Sequence, residues 1–195
     1  MVRIAAFDWD GPLIPSWGGH SITRALKSVL FRVRRLYLLG ELLEACLGIR
    51  WRLHAGAERL LSETAAQYGL AVGIITDRSL FSFVISARRA GLALHHLRFV
   101  HARSSLLDGF VRRLVPPTVT IFTTPYFKGD PRALVGFVEF CNALGVKPPS
   151  VLFVGDNEQD RLAASQHGFW FVQVDKMRPQ LDAIRDYLTE RFFVG

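Results

Sequence analysis

Asp8 and Asp10 stand two positions apart, directly after the apolar run Val2–Phe7. Carboxylates at that spacing repel each other, so a cation is expected between or beside them. Gly155, Asp156, Asn157 and Asp160 follow a second apolar run, Val151–Val154, and add two more carboxylates at the start of a helix pattern. The run Ala71–Thr76 ends in a hydroxyl with Asp77 next to it, and Lys128 comes just before Asp130-Pro131. Three carboxylates that offer only oxygen suit a hard ion such as Mg²⁺. A hydroxyl and an ammonium beside them suit a phosphoryl group. The chemistry on offer is metal-assisted work on a phosphate.

These residues need a frame that gathers them. The apolar runs Val2–Phe7, Ala71–Thr76, Leu97–Val100, Val119–Phe122, Val151–Val154 and Phe169–Val174 are short and rich in β-branched or aromatic residues. They are apolar nearly throughout, as strands buried on both faces are. Helical patterns lie between them. Ala57–Tyr68 stops at Gly69, and Leu80–Ala90 runs from Ser79 as N-cap to Gly91. Arg132–Leu144 has Asp130 as N-cap and Pro131 at its first position; a helix from about Gln159 stops near Gly168, and another begins at Pro179. Alternating strands and helices predict an α/β fold with a doubly wound, mainly parallel sheet. Functional residues in such sheets sit just past the carboxyl ends of strands, where Asp8, Thr76 and Asp156 fall.

Residues 14–56 do not fit the alternation. Ile22, Leu26, Val29, Val33, Leu36 and Gly40 recur at helical spacing. The expected division is a core of residues 1–13 and 57–195 with a small helical cap, residues 14–56, inserted after the first strand. Residues 101–127 are longer than an ordinary connection, and Val119–Phe122 reads as an extra strand within them.

Half of the residues are apolar and 21% are charged, a globular composition. Two cysteines far apart, Cys46 and Cys141, exclude a disulfide framework and point to a reducing compartment. No apolar run is long enough to span a membrane, and the N-terminus lacks the pattern of a signal peptide. The expected location is cytoplasmic. The net charge of +7 is concentrated. Residues 14–56 carry seven basic and two acidic groups, and residues 78–113 carry seven basic groups and one acid. Such a surface attracts anions without naming one. The aromatic residues are not interleaved with the basic ones, which argues against nucleic acid.

Taken together, the chain resembles the haloacid dehalogenase superfamily. That family's four motifs occur in family order: Asp8-Trp9-Asp10-Gly11-Pro12-Leu13, Gly73-Ile74-Ile75-Thr76-Asp77, Lys128-Gly129-Asp130-Pro131, and Gly155-Asp156 through Asp160. Pro12 replaces the usual Thr or Val, and Gly129 the usual Pro. The resemblance implies a Mg²⁺-dependent phosphatase acting on a small phosphorylated molecule through an aspartyl-phosphate. Asp8 would be the nucleophile and Asp10 the general acid and base. Asp8 and Asp156, with the backbone carbonyl of Asp10, would hold the metal. Thr76, Asp77 and Lys128 would bind the phosphate, and Gly11, Gly155, Asn157 and Asp160 would support them. The acid at position 10 favours phosphate esters over carbon–halogen bonds within that family.

Other residues are read more plainly. His95, His96 and His101 match no standard metal spacing and are expected to be ordinary. Cys46, His54 and Trp9 are expected to pack rather than ligate, as are Trp17 and Trp51. Arg24, Lys27, Arg32, Arg34, Arg35, Arg50 and Arg52 are the cap's candidates for meeting substrate anions. The competing reading is a catalytically weak member of the fold that uses its basic, apolar cap to bind a partner; a phosphomutase is a third. Either a monomer or a homodimer fits the sequence.

Overall fold

The apolar runs form six parallel strands in one sheet. A computed structural model describes residues 3–15, 37–48, 52–175 and 181–193; the side chains of residues 46–48 and 191–193 lie outside that description. The strands are β1 (Ile4–Phe7), β2 (Ala71–Ser79), β3 (Phe99–Arg103), β4 (Thr120–Thr124), β5 (Val151–Gly155) and β6 (Trp170–Gln173). Their order across the sheet is β4-β3-β2-β1-β5-β6, with every adjacent pair parallel. The chain moves outward from β1 to β4 and then returns to the other side of β1. That reversal opens a crevice above the carboxyl ends of β1 and β5. Phe7 is in register with Ile74 on one side and Val154 on the other, so Asp8 and Asp156 leave the sheet along one edge, with Thr76 two positions past Ile74 on the longer β2.

Helices cover both faces. They are α1 (Tyr37–Gly48), α2 (Ala57–Tyr68), α3 (Leu80–Ala90), the single turn α4 (Asp108–Val111), α5 (Val135–Ala143), α6 (Glu158–His167) and α7 (Leu181–Phe193). Strand β1 shows why the runs are apolar throughout. Ala5 and Phe7 join the core under α2, α3 and α7, while Ile4 and Ala6 join the core under α5 and α6. Glycines end three of the helices in the left-handed conformation, Gly69, Gly91 and Gly168. Ser79 caps α3 by accepting from the backbone N–H of Ser82 at 3.2 Å. No helix among the described residues is long and apolar enough to cross a membrane.

Two expectations need adjusting. Helix α5 starts at Val135 rather than Arg132. Asp130 does accept from the Arg132 N–H, but it closes a separate turn before the helix. The strand expected at 119–122 is β4, the sheet's edge, reached through the Pro116-Pro117 turn.

Of the insert, α1 is described. It packs on α3. Tyr37 donates to the Ser104 carbonyl at 2.7 Å, and the Ser79 N–H donates to Glu44 at 3.1 Å. Both contacts lie at the carboxyl ends of β2 and β3. Ile22, Leu26, Val29, Val33 and Leu36, the basic residues 24–35, Arg50, Trp17 and Trp51 lie outside the described residues, as does the side chain of Cys46.

Candidate active site at the carboxyl edge of the sheet

Asp8 follows β1 and is buried. Its Oδ1 accepts from the Trp9 N–H at 2.8 Å and lies 2.8 Å from Lys128 Nζ. Lys128 is itself buried and makes a second ion pair with Asp160. Its ammonium therefore bridges the carboxylate after β1 and the one on the first turn of α6. Burial opposes the charge of Lys128, but Asp8, Asp160 and Asp77 together raise its pKa, so it stays an ammonium. Asp8 is pushed the other way. Burial and the neighbouring Asp160 hold its carboxyl above the ordinary range, and Lys128 counters them.

Asp156 and Asp160 are positioned by the start of α6. Asn157 is the N-cap; its side chain accepts from the Asp160 N–H, and Asp160 reaches back to the Asn157 N–H at 3.4 Å. This reciprocal cap also lets Asp160 accept from the Asp156 N–H at 3.1 Å. The Asn157 amide donates to Asp156 Oδ1 at 2.9 Å. Two glycines make room. At Gly11, with φ of 103°, an added Cβ would lie 2.5 Å from Asp156 Cγ. At Gly155 it would lie 2.5 Å from Asp160 Cβ.

The residues fit a divalent cation. Oxygen atoms of Asp8, Asp156 and Asp160 lie within 4.8 Å of one another. Three negative charges there meet the single positive charge of Lys128, an excess that one such ion would balance. Burial also raises the carboxyl of Asp156. A cation beside these groups would bring both raised carboxyls back to their charged forms. The bare backbone at Gly11 keeps the approach to Asp156 clear.

Asp10 points elsewhere. Arg78 Nε donates to its Oδ2 at 2.8 Å and Arg78 Nη2 to its Oδ1 at 2.6 Å, a bidentate pair. Thr76 is buried, and its hydroxyl oxygen accepts from the Arg78 N–H at 3.1 Å. The loop that carries Asp10 is pinned by His54, whose Nε2 lies 3.1 Å from the Gly11 carbonyl oxygen.

No family model matches the sequence, and no curated protein does so. Solved structures do. One is a candidate phosphoglycolate phosphatase from Lactobacillus plantarum, with a TM-score of 0.61 and 17% identity over 94% of this chain and 92% of that one. Another is an L-2-haloacid dehalogenase, with a TM-score of 0.61 and 14% identity over 97% and 99%. A third is a HAD-family hydrolase from Deinococcus radiodurans R1 with bound phosphate and sodium, with a TM-score of 0.58 and 15% identity over 97% and 96%. The fold is that of the haloacid dehalogenase superfamily.

Within that haloacid dehalogenase fold, all four sequence motifs reach one edge of the sheet. Asp160 is the acid beside Asp8 and Asp156, and the side chain of Asp10 pairs with Arg78. Asp77 was expected at the phosphate, but its Oδ1 accepts from the Lys128 N–H at 2.7 Å. A carboxylate repels a phosphate, and here it fixes the backbone of Lys128. Trp9 is fully buried: its indole donates to Ser86 at 3.1 Å and meets Phe83 edge-on. His101 is a core residue, hydrogen-bonded to the Ala133 carbonyl at 2.8 Å.

The sequence reading missed Arg78, Arg103 and Glu44. Arg103 ends β3, is buried, and donates from Nε to the Asp77 carbonyl. Its Nη2 lies 3.5 Å from Glu44 of α1. Both arginines lie at the carboxyl ends of strands, so the rule that located Asp8 and Asp156 pointed to them too. They were counted as part of a basic surface instead.

Proposed function

We propose that this protein is a divalent-metal-dependent phosphatase that hydrolyses a monoester of a small phosphorylated molecule through an aspartyl-phosphate. The observation that carries the reading is the Lys128 ammonium bridging Asp8 and Asp160 with Asp156 alongside. An anionic nucleophile, an oxygen-only cation pocket and a buried ammonium form a set suited to an anionic substrate. Haloacid dehalogenases share the fold, but the acid at position 10 supports phosphate chemistry, as does the phosphate bound in the Deinococcus radiodurans structure.

Asp8 attacks phosphorus, and the bond from phosphorus to the leaving oxygen breaks. Asp10, turned out of the Arg78 fork and protonated, gives that oxygen its proton. In the second half a water attacks the phosphorus of the aspartyl-phosphate. Asp10 takes the water's proton, and inorganic phosphate leaves with Asp8 restored. Lys128 and the Thr76 hydroxyl hold phosphoryl oxygens, and Asp77 and Asp160 hold Lys128. When Mg²⁺ is bound by Asp8, Asp156 and Asp160, it offsets the repulsion between nucleophile and substrate. Residues 14–56 serve as the cap that screens substrates.

The test is phosphate release from p-nitrophenyl phosphate and a panel of phosphorylated small molecules, with Mg²⁺ or with EDTA. Metal-dependent turnover that vanishes in Asp8→Asn is expected. A folded, metal-replete protein that turns over none of them, or an Asp8→Asn variant as active as the parent, would overturn the reading.

A further inference from the structure

Arg78 has no task in the reaction outlined above. It lies on β2 two positions beyond Thr76, in the stretch where the strand departs from regular pairing with β3. Its side chain is only 9% exposed. Nε and Nη2 both donate to Asp10. A guanidinium is planar, so its remaining edge, Nη1, faces away from that carboxylate. Nη1 is buried and has no hydrogen-bond partner among the described residues. A charged donor kept from water without a partner is costly, and native proteins rarely keep one without a reason.

The neighbouring acids do not supply that partner. After Asp10, the carboxylates that act on Arg78 are Glu44 and Asp8. Glu44 is engaged by the Ser79 N–H and by Arg103, and Asp8 by Lys128 and the Trp9 N–H. An oxyanion brought from outside would supply one. The location of Nη1 says which part of a substrate would bring it. Lys128 and Thr76 serve the phosphoryl group, whereas Asp10 serves the leaving oxygen. Arg78 grips Asp10 and therefore stands on the leaving-group side.

We infer that Arg78 determines specificity: Nη1 receives an anionic oxygen from a second acidic group, carboxylate or phosphate, on the leaving-group portion of the substrate. Preferred substrates are phosphate monoesters that carry this second anion a few atoms from the ester oxygen. The inference rests on the phosphatase reading. It also gives the fork on Asp10 a competitor. A substrate anion that draws on the guanidinium loosens its hold on Asp10 as the leaving oxygen arrives.

Two measurements test this in Mg²⁺, each on the parent protein, Arg78→Gln and Arg78→Lys. The first is calorimetric binding of phosphonoacetate against methylphosphonate. The second is kcat/KM for carboxymethyl phosphate and for ethylene glycol bisphosphate, each against 2-hydroxyethyl phosphate. The carboxylate and phosphate arms show which second anion is taken. The parent is expected to prefer the doubly acidic member by about tenfold or more, the scale of one charged hydrogen bond. The preference is lost in Arg78→Gln and partly kept in Arg78→Lys, which serves alone if the glutamine variant fails to fold. A parent without preference, or one that binds neither phosphonate, overturns the inference. An equal loss on singly and doubly acidic members also overturns it, since Arg78 then acts only through Asp10. A phosphonoacetate preference without turnover of any ester sinks the phosphatase reading and leaves the anion site standing.

Discussion

Lys128 is tied to the site at both ends: its backbone N–H is fixed by Asp77 and its ammonium is shared by Asp8 and Asp160. Removing that ammonium leaves the two acids facing each other and removes the donor that the proposed reaction uses to hold phosphoryl oxygens. Lys128→Met is expected to lower kcat/KM by about 100-fold or more, the usual size of losing one preorganised donor. A melting curve in Mg²⁺ checks that the variant is folded, and unchanged turnover would refute the role. At this scale the sequence was legible where a motif names a residue type. Asp8, Thr76, Lys128, Asp156 and Asp160 all reach the same edge. Arg78 was illegible because its partner, Asp10, is 68 positions away and its charge merged into a basic segment.

Strand β3 illustrates how an element can carry its own acid sensitivity. His101 projects into the core beside Phe122 and binds the Ala133 carbonyl, while its Nδ1 is buried without a hydrogen-bond partner among the described residues. Burial pushes the imidazole down to about 4 from its ordinary 6.5. The unfolded chain therefore binds a proton that the folded chain refuses. Stability from this residue is fully present above pH 6.5 and is lost as pH falls toward 4, about 3 kcal/mol in all. His101→Gln keeps an N–H for Ala133 but cannot titrate. Urea midpoints taken from pH 7 to pH 4 should fall less steeply in that variant; equal slopes would refute the assignment. Elements were legible in the sequence where punctuation was strong: Ser79 and Gly91 bracket α3 as read. Helix α5 was misplaced because Asp130-Pro131 signals a helix start equally well when it closes a turn.

For the whole molecule, the excess negative charge of the site sits inside a protein whose net charge is +7. Folding gathers Asp8, Asp156 and Asp160, and a cation that binds them stabilises only the folded state. At a Mg²⁺ concentration 100 times its Kd, that linkage is worth about 2.7 kcal/mol. For a chain of this length it should raise Tm by about 5 to 10 °C. Asp156→Asn should shrink the rise, and calorimetric scans with and without Mg²⁺ measure it. An unchanged Tm at saturating Mg²⁺ would mean that the three acids serve only Lys128.

Helix α1 bears on how such a molecule can be rebuilt. Glu44 binds Arg103, Arg103 binds the Asp77 carbonyl, and Asp77 fixes Lys128 beside Asp8. Exchanging residues 14–56 for another helical segment would strip Arg103 of its carboxylate and slacken the far end of that chain. The segment is not a detachable cassette. A transplant keeps that chain of contacts whole only if it brings an acid to the place of Glu44.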